Sequence, residues 1–381
     1  MTRAGTVCAL IVFSAIAGAA AAQSTRPAGG SPSAAARFAT IRQQADEARA
    51  GGRLDEAIGL YERAIRLRPS WIEGYWYLGA TSYELEKYAG CRDAFRNVVR
   101  RQPQNGAAWA FKGLCEFQLT NYRTALSDLT TAHDRQIGDP KLIPVARYHR
   151  AILLTRFGEF ERALQIYALF GSEGNVTPQI VEGIGLAVLR MPRLPADVPE
   201  EQRDLVMRAG RATALSRTNG AEAEREYEAL VRGYGETPNV HYVYGLFLLR
   251  DRPELALAQF REELRVSPTH APAMIQIAQE LLKEGDRDGA ARWAGEAVQL
   301  APRHFVARRV LGQVKLEAGD IPGAIAELES AVKLEPDSPS VHYTLARAYQ
   351  RAGRSADAER ERATFTKLER LQQEQRGAVE K

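Results

Sequence analysis

The chain has 381 residues, 45% of them hydrophobic and 26% charged, and carries a net charge of +4 from 51 basic and 47 acidic residues. That is enough apolar material for a buried core and rules out wholesale disorder. The basic surplus is small and no Lys/Arg block gathers it, which argues against a nucleic-acid partner. Eight Lys against 43 Arg, with abundant Ala, is the composition of a GC-rich bacterial genome.

The N-terminus reads as an export signal. Arg3 supplies a positive start, Val7 to Ile16 is apolar apart from Ser14, and Ala20-Ala21-Ala22 precedes Gln23. This order of charge, apolar run and small residues predicts a signal peptide over residues 1–22, cut after Ala22. The expected location is then extracytoplasmic, periplasmic or secreted. The alternative is an uncleaved anchor, for which the apolar run is short. No other segment is long and apolar enough to span a bilayer. Residues 23–37, rich in Ala, Gly, Ser and Pro, read as a flexible leader.

Beyond the leader a fixed period emerges. Pro69 and Pro103 are 34 residues apart, as are Pro268, Pro302 and Pro336. Gly79 and Gly113 keep that step, as do Ala57, Cys91 and Ala125, the set Ala290, Ala324 and Ala358, and the set Tyr61, Phe95 and Leu129. Such a period marks a repeat architecture. Within residues 305–336, Val306, Val310, Leu311 and Val314 are spaced for one helical face. Gly319 then suits a left-handed helix end. Ala324, Ile325, Leu328, Ala331 and Val332 make a second helix that Pro336 closes. Neither helix buries its apolar face alone, so neighbouring pairs must stack.

These residues resemble the tetratricopeptide repeat (TPR) family: Tyr75, Leu78, Gly79, Phe95 and Pro103 in one repeat; Trp109, Gly113, Ala125 and Ala132 in the next; Leu311, Gly312, Ala324, Ala331 and Pro336 later. RNA-binding repeats of about 35 residues are the nearest confusable class, and the 34-residue step with its Gly, Ala and Pro positions favours TPR. The expected fold is an all-α TPR solenoid of eight to nine helix-turn-helix repeats in two arrays, residues 38–171 and 204–366. Residues 172–203 break the pattern. Thr177-Pro178 opens a helix there, apolar on most sides and running to Met191, before Pro192, Pro195 and Pro199. This segment reads as an atypical helical and Pro-rich joint. Residues 367–381 form a charged tail that extends the last helix.

Motifs for chemistry are missing: there is no phosphate loop, G-x-S-x-G, H-E-x-x-H or C-x-x-C. Gly183-x-Gly185 lies inside an apolar helix, and Asp286-Arg287-Asp288-Gly289 reads as a capped turn rather than a calcium loop. His270 and His304 share a repeat position too far apart to hold one metal. No cofactor, metal or catalytic residue is expected. Cys91 and Cys115 fall on neighbouring antiparallel helices. An oxidising compartment lets them pair; the alternative is two buried thiols acting as small core residues.

The resemblance implies a partner protein or peptide held in a groove lined by first helices, through positions 2, 5, 9 and 12 of each repeat. Those positions hold Trp76, Tyr83, Leu114, Phe117, Tyr148 and Ile152 toward the N-terminal array. Toward the C-terminal array they hold Gln279, Arg309, Gln313, Tyr343, Arg347 and Gln350, with Arg351 at position 13. The expected groove is aromatic at one end and basic and amide-rich at the other, fitting a ligand with apolar anchors and a carboxylate. The family's carboxylate-clamp pattern of Lys and Asn is not at these positions. The competing readings are a structural or self-assembling solenoid, a membrane-anchored TPR adaptor, and an enzyme with an unrecognised site.

Overall fold

The computed structural model describes residues 33–379, with side chains described as far as Glu374. The expected signal peptide, residues 1–22, and leader residues 23–32 lie outside the described residues. The rest of the leader is helical. Ser33 caps helix α1 (Ala34–Ala50) by accepting from the Ala36 N–H at 3.2 Å. Three consecutive Ala behind a Ser cap favour helix over linker, which corrects the reading of residues 34–37.

Among the described residues there are nineteen α-helices, one 3-10 turn and no strand. They fall into two compact units divided after Arg203. The first holds four hairpins: α1 with α2 (Leu54–Leu67), α3 (Ile72–Glu84) with α4 (Tyr88–Arg101), α5 (Gly106–Gln118) with α6 (Tyr122–Asp134), and α7 (Leu142–Arg156) with α8 (Phe160–Ser172). A single helix α9 (Pro178–Val188) and a 3-10 turn (Pro195–Asp197) follow. Thr177 caps α9 with Pro178 behind it, as its sequence predicts. The helix ends before Met191 because Arg190 turns left-handed, at φ 54°.

Helix α10 (Glu200–Leu215) carries the division in its first turn. With α11 (Gly220–Tyr234) it opens the series α12 (Val240–Leu248), α13 (Pro253–Val266), α14 (Ala271–Glu284), α15 (Arg287–Leu300), α16 (Phe305–Ala318), α17 (Ile321–Leu334), α18 (Pro339–Arg351) and α19 (Ser355–Val379). The tail therefore does extend the last helix.

The repeated small residues are where helices meet. Ala57, Cys91, Ala125, Ala290, Ala324 and Ala358 are all fully buried, and so are Tyr61 and Phe95. A Cβ on Gly79 would lie 2.7 Å from the Phe95 ring, and one on Gly312 would lie 2.6 Å from Leu328. Only glycine lets the two helices of these hairpins approach so closely. Seven of the nine hairpin turns are closed by one left-handed residue, the exceptions being α10 to α11 and α12 to α13. Gly52, Gly158, Gly285, Gly319 and Gly353 fill this place, but so do Glu86 at φ 56° and Thr120 at φ 62°.

Candidate functional site

First helices touch first helices. In the first unit α5 packs on α3 and α7, and in the second α16 packs on α14 and α18. Across α3, α5 and α7, and across α14, α16 and α18, they form a face on which positions 2, 5, 9 and 12 recur at near-integral helical turns.

In the first unit this face is aromatic but largely self-satisfied. Trp76 stands edge-on to Phe95 at 5.3 Å and to Phe111 at 5.9 Å. Tyr83 meets Phe111 at 5.9 Å. Phe117 is edge-on to His149 at 4.7 Å, and Tyr148 meets the same His149 at 5.5 Å. These rings are half-buried. Burial, helped by the Glu182 carboxylate, pushes the Tyr148 phenol up to about 12. Leu114 and Ile152 are only 2% and 4% exposed. They belong to the core and not to a groove, because α5 and α7 are each sandwiched between neighbouring hairpins.

Behind this face lies a polar network that the sequence reading missed. Lys112 Nζ donates to Asp128 Oδ2 at 2.5 Å, with Glu116 Oε1 4.0 Å away, and all three residues are buried. Asn121 donates to Glu116 at 2.7 Å, and the Trp109 ring lies 5.5 Å from the ammonium. Desolvation raises the Asp128 carboxyl pKa against the opposing pull of Lys112. The signal was available: Lys112 stands where Leu78 and Leu311 stand in their repeats. Beside this network Cys91 and Cys115 form a disulfide joining α4 to α5, Cα to Cα 6.2 Å.

The second unit presents a more open face. Tyr343 is 51% exposed and rests on Phe365 at 5.5 Å. Arg347 and Arg351 are not free cations: Glu317 accepts from Arg347 at 2.9 Å and lies 3.7 Å from Arg351, which also donates to the Leu316 carbonyl. Gln350 accepts from Arg362 at 2.9 Å. Gln279 and Gln313 are half-buried. Arg309 differs. It is half-buried, its one hydrogen bond goes to Gln313 Oε1 at 3.4 Å, and among the described residues no carboxylate pairs with it. Desolvation accordingly lowers its guanidinium pKa. Leu246, 40% exposed on α12, takes the same repeat position as Gln279, Gln313 and Arg347. The sequence reading missed it because it named no groove position in the repeat over residues 238–270.

The remaining sequence candidates have structural roles. His270 caps α14, its Nδ1 accepting from the Ala273 N–H at 3.1 Å, and its Nε2 lies 2.9 Å from Asn239 Oδ1. Nearby, the buried Glu263 accepts from the Asn239 and Tyr242 N–H groups at 2.7 and 3.1 Å. Asp286 caps α15 through the Gly289 N–H at 2.9 Å. A Cβ on Gly183 would lie 2.3 Å from Tyr167 Oη, so that glycine serves helix packing. Among the described residues no group of three or more His, Cys, Asp or Glu could hold a metal, and no helix is long and apolar enough to cross a membrane.

Stacked two-helix hairpins with a small residue at each crossing define a helical-repeat scaffold. Its family follows from the sequence patterns of the tetratricopeptide repeat, which match residues 45–85, 78–139, 275–339 and 315–364. The chain is a tetratricopeptide repeat protein, and such repeats serve generally as protein-interaction scaffolds. No curated protein matches it. Among solved structures it is similar to MamA from Desulfovibrio magneticus RS-1, at 24% identity over 44% of this chain and 96% of that one, TM-score 0.39. It is similar to YrrB, described as a TPR protein with an unusual peptide-binding site, at 17% identity over 41% and 82%, TM-score 0.35. Yeast Tom70 covers more, 87% of this chain and 85% of its own, at 12% identity and TM-score 0.35. Likeness at this level carries nothing about function.

Proposed function

We propose that this protein is a non-enzymatic, extracytoplasmic scaffold that holds a peptide or partner protein against the first-helix faces of its repeats. The observation that carries this reading is the second-unit face. Leu246 and Tyr343 are large apolar groups left in solvent, and Arg309 is a desolvated cation without a carboxylate. Exposed aromatic and Arg side chains are the usual interface hot spots, and a half-buried cation without its anion is an invitation to one. A ligand with apolar anchors and an acidic side chain or terminal carboxylate meets both needs. Export is supported by the N-terminal sequence and by the disulfide, which persists in oxidising compartments.

The test is a pull-down from a cell-envelope extract with residues 23–381. Wild type runs beside Leu246→Ala/Tyr343→Ala and Arg309→Gln. Capture by the wild type that weakens in both variants, with equal helicity by circular dichroism, supports the reading. Equal capture by all three rejects it, and concentration-dependent self-association without a partner favours the self-assembling alternative.

A further inference from the structure

We infer that one edge of the first unit is a docking surface for an anionic lipid bilayer. In every hairpin the second helix ends, and the next first helix begins, on the same edge. Two contacts show that edge closing on itself: Arg68 lies over the Phe38 ring at 5.4 Å, and Arg101 Nη2 donates to the Pro69 carbonyl at 3.1 Å. Arginine recurs there. Arg66 and Arg68 end α2, Arg100 and Arg101 end α4, and Arg135 ends α6. All but Arg101 are exposed, and among the described residues none of the five pairs with a carboxylate. The acids on this edge are Glu73, Asp134, Asp139 and Glu173, the last paired with Arg147 at 2.6 Å, so the edge is net positive.

A cation in the last turn of a helix is favoured by the helix dipole, but that preference acts equally in the second unit. There the corresponding turns are largely neutralised: Arg265 is held by Glu236 at 2.6 Å and Glu262 at 2.8 Å, and Glu335 and Asp337 follow α17, with Arg303 after α15 the exception. The surplus is thus particular to the first unit.

One observation favours a membrane over an acidic protein. Leu67 stands 39% exposed between Arg66 and Arg68, an apolar group among cations, which suits the boundary between phosphate headgroups and acyl chains.

The experiment is co-sedimentation of residues 23–381 with two kinds of vesicle, pure phosphatidylcholine and phosphatidylcholine carrying one third phosphatidylglycerol. The triple variant Arg66→Gln/Arg100→Gln/Arg135→Gln runs in parallel; its side chains are exposed, and circular dichroism checks its fold. Binding to phosphatidylcholine reads adsorption that does not depend on lipid charge and should be the same for both proteins. Binding to the anionic vesicles should be stronger, should fall with salt, and should weaken in the variant by about fivefold per arginine, about a hundredfold in all. Equal binding to the two vesicles, or an unaffected variant, overturns the proposal. So does arginine-dependent binding to polyglutamate without binding to anionic vesicles, which would make the edge a site for an acidic protein.

Discussion

The Lys112–Asp128 pair offers a quantitative test of the packing. Both residues are buried, 2.5 Å apart, with Glu116 4.0 Å from the ammonium. Asp128→Ala would leave the ammonium in the core with one distant carboxylate. Breaking a buried pair from one side costs about 3–5 kcal/mol, because the surviving charge is neither solvated nor paired. Replacing both partners should cost far less. The repeat one step earlier has Leu78 and Ala94 at the matching positions, so Lys112→Leu/Asp128→Ala copies a solution the fold already uses. Glu116 keeps its hydrogen bond from Asn121. The double variant should therefore lie within about 1.5 kcal/mol of wild type. Urea denaturation followed by circular dichroism gives all four corners of the cycle. A loss below about 1 kcal/mol for Asp128→Ala, or a double variant as unstable as the two singles summed, would refute the reasoning.

Removing the disulfide with Cys91→Ala/Cys115→Ala frees a sequence separation of 24 residues and should lower stability by about 3 kcal/mol. The wild type should show a matching fall when unfolded under reducing conditions. Thr120→Gly should raise stability by about 0.5–1 kcal/mol, since relief of left-handed strain at a β-branched residue exceeds the entropy cost of glycine; thermal unfolding checks it. Desolvation holds His149 below its ordinary pKa, against the bond to the Val145 carbonyl. The unfolded chain then takes up the proton first, so stability is lost as pH falls through about 6.5. His133 is lowered likewise and adds to the effect. His149→Phe should flatten the slope of Tm against pH, and an unchanged slope would remove His149 from the account.

The hairpin repeat was legible because the residues that set it are the ones packing constrains most. A 34-residue step in Ala57, Cys91 and Ala125, and in Gly79 and Gly113, records helix crossings that tolerate no larger side chain. Thr177-Pro178 marked the start of α9 for an equally local reason. What was not legible depended on neighbours. Leu114 and Ile152 sit at positions that face a groove in a simple stack, yet α5 and α7 bury them. Glu86 and Thr120 adopt the left-handed turn because the hairpin imposes it, without the glycine that would announce it. Arg347 and Arg351 read as free cations until Glu317, a turn back on the preceding first helix, proved to hold them. Residues 34–37 read as linker by composition, although three Ala behind a Ser cap begin a helix.

The most direct test of the central claim is site-specific photo-crosslinking in cells. A photoreactive amino acid would replace Leu246 or Tyr343 on the first helices, and Leu255 or Leu300 on the second helices of the same unit, all four exposed. The account predicts a discrete adduct from Leu246 and Tyr343, lost when Arg309→Gln is added, and none from Leu255 or Leu300. Adducts only from the second-helix positions, or from all four alike, would contradict it.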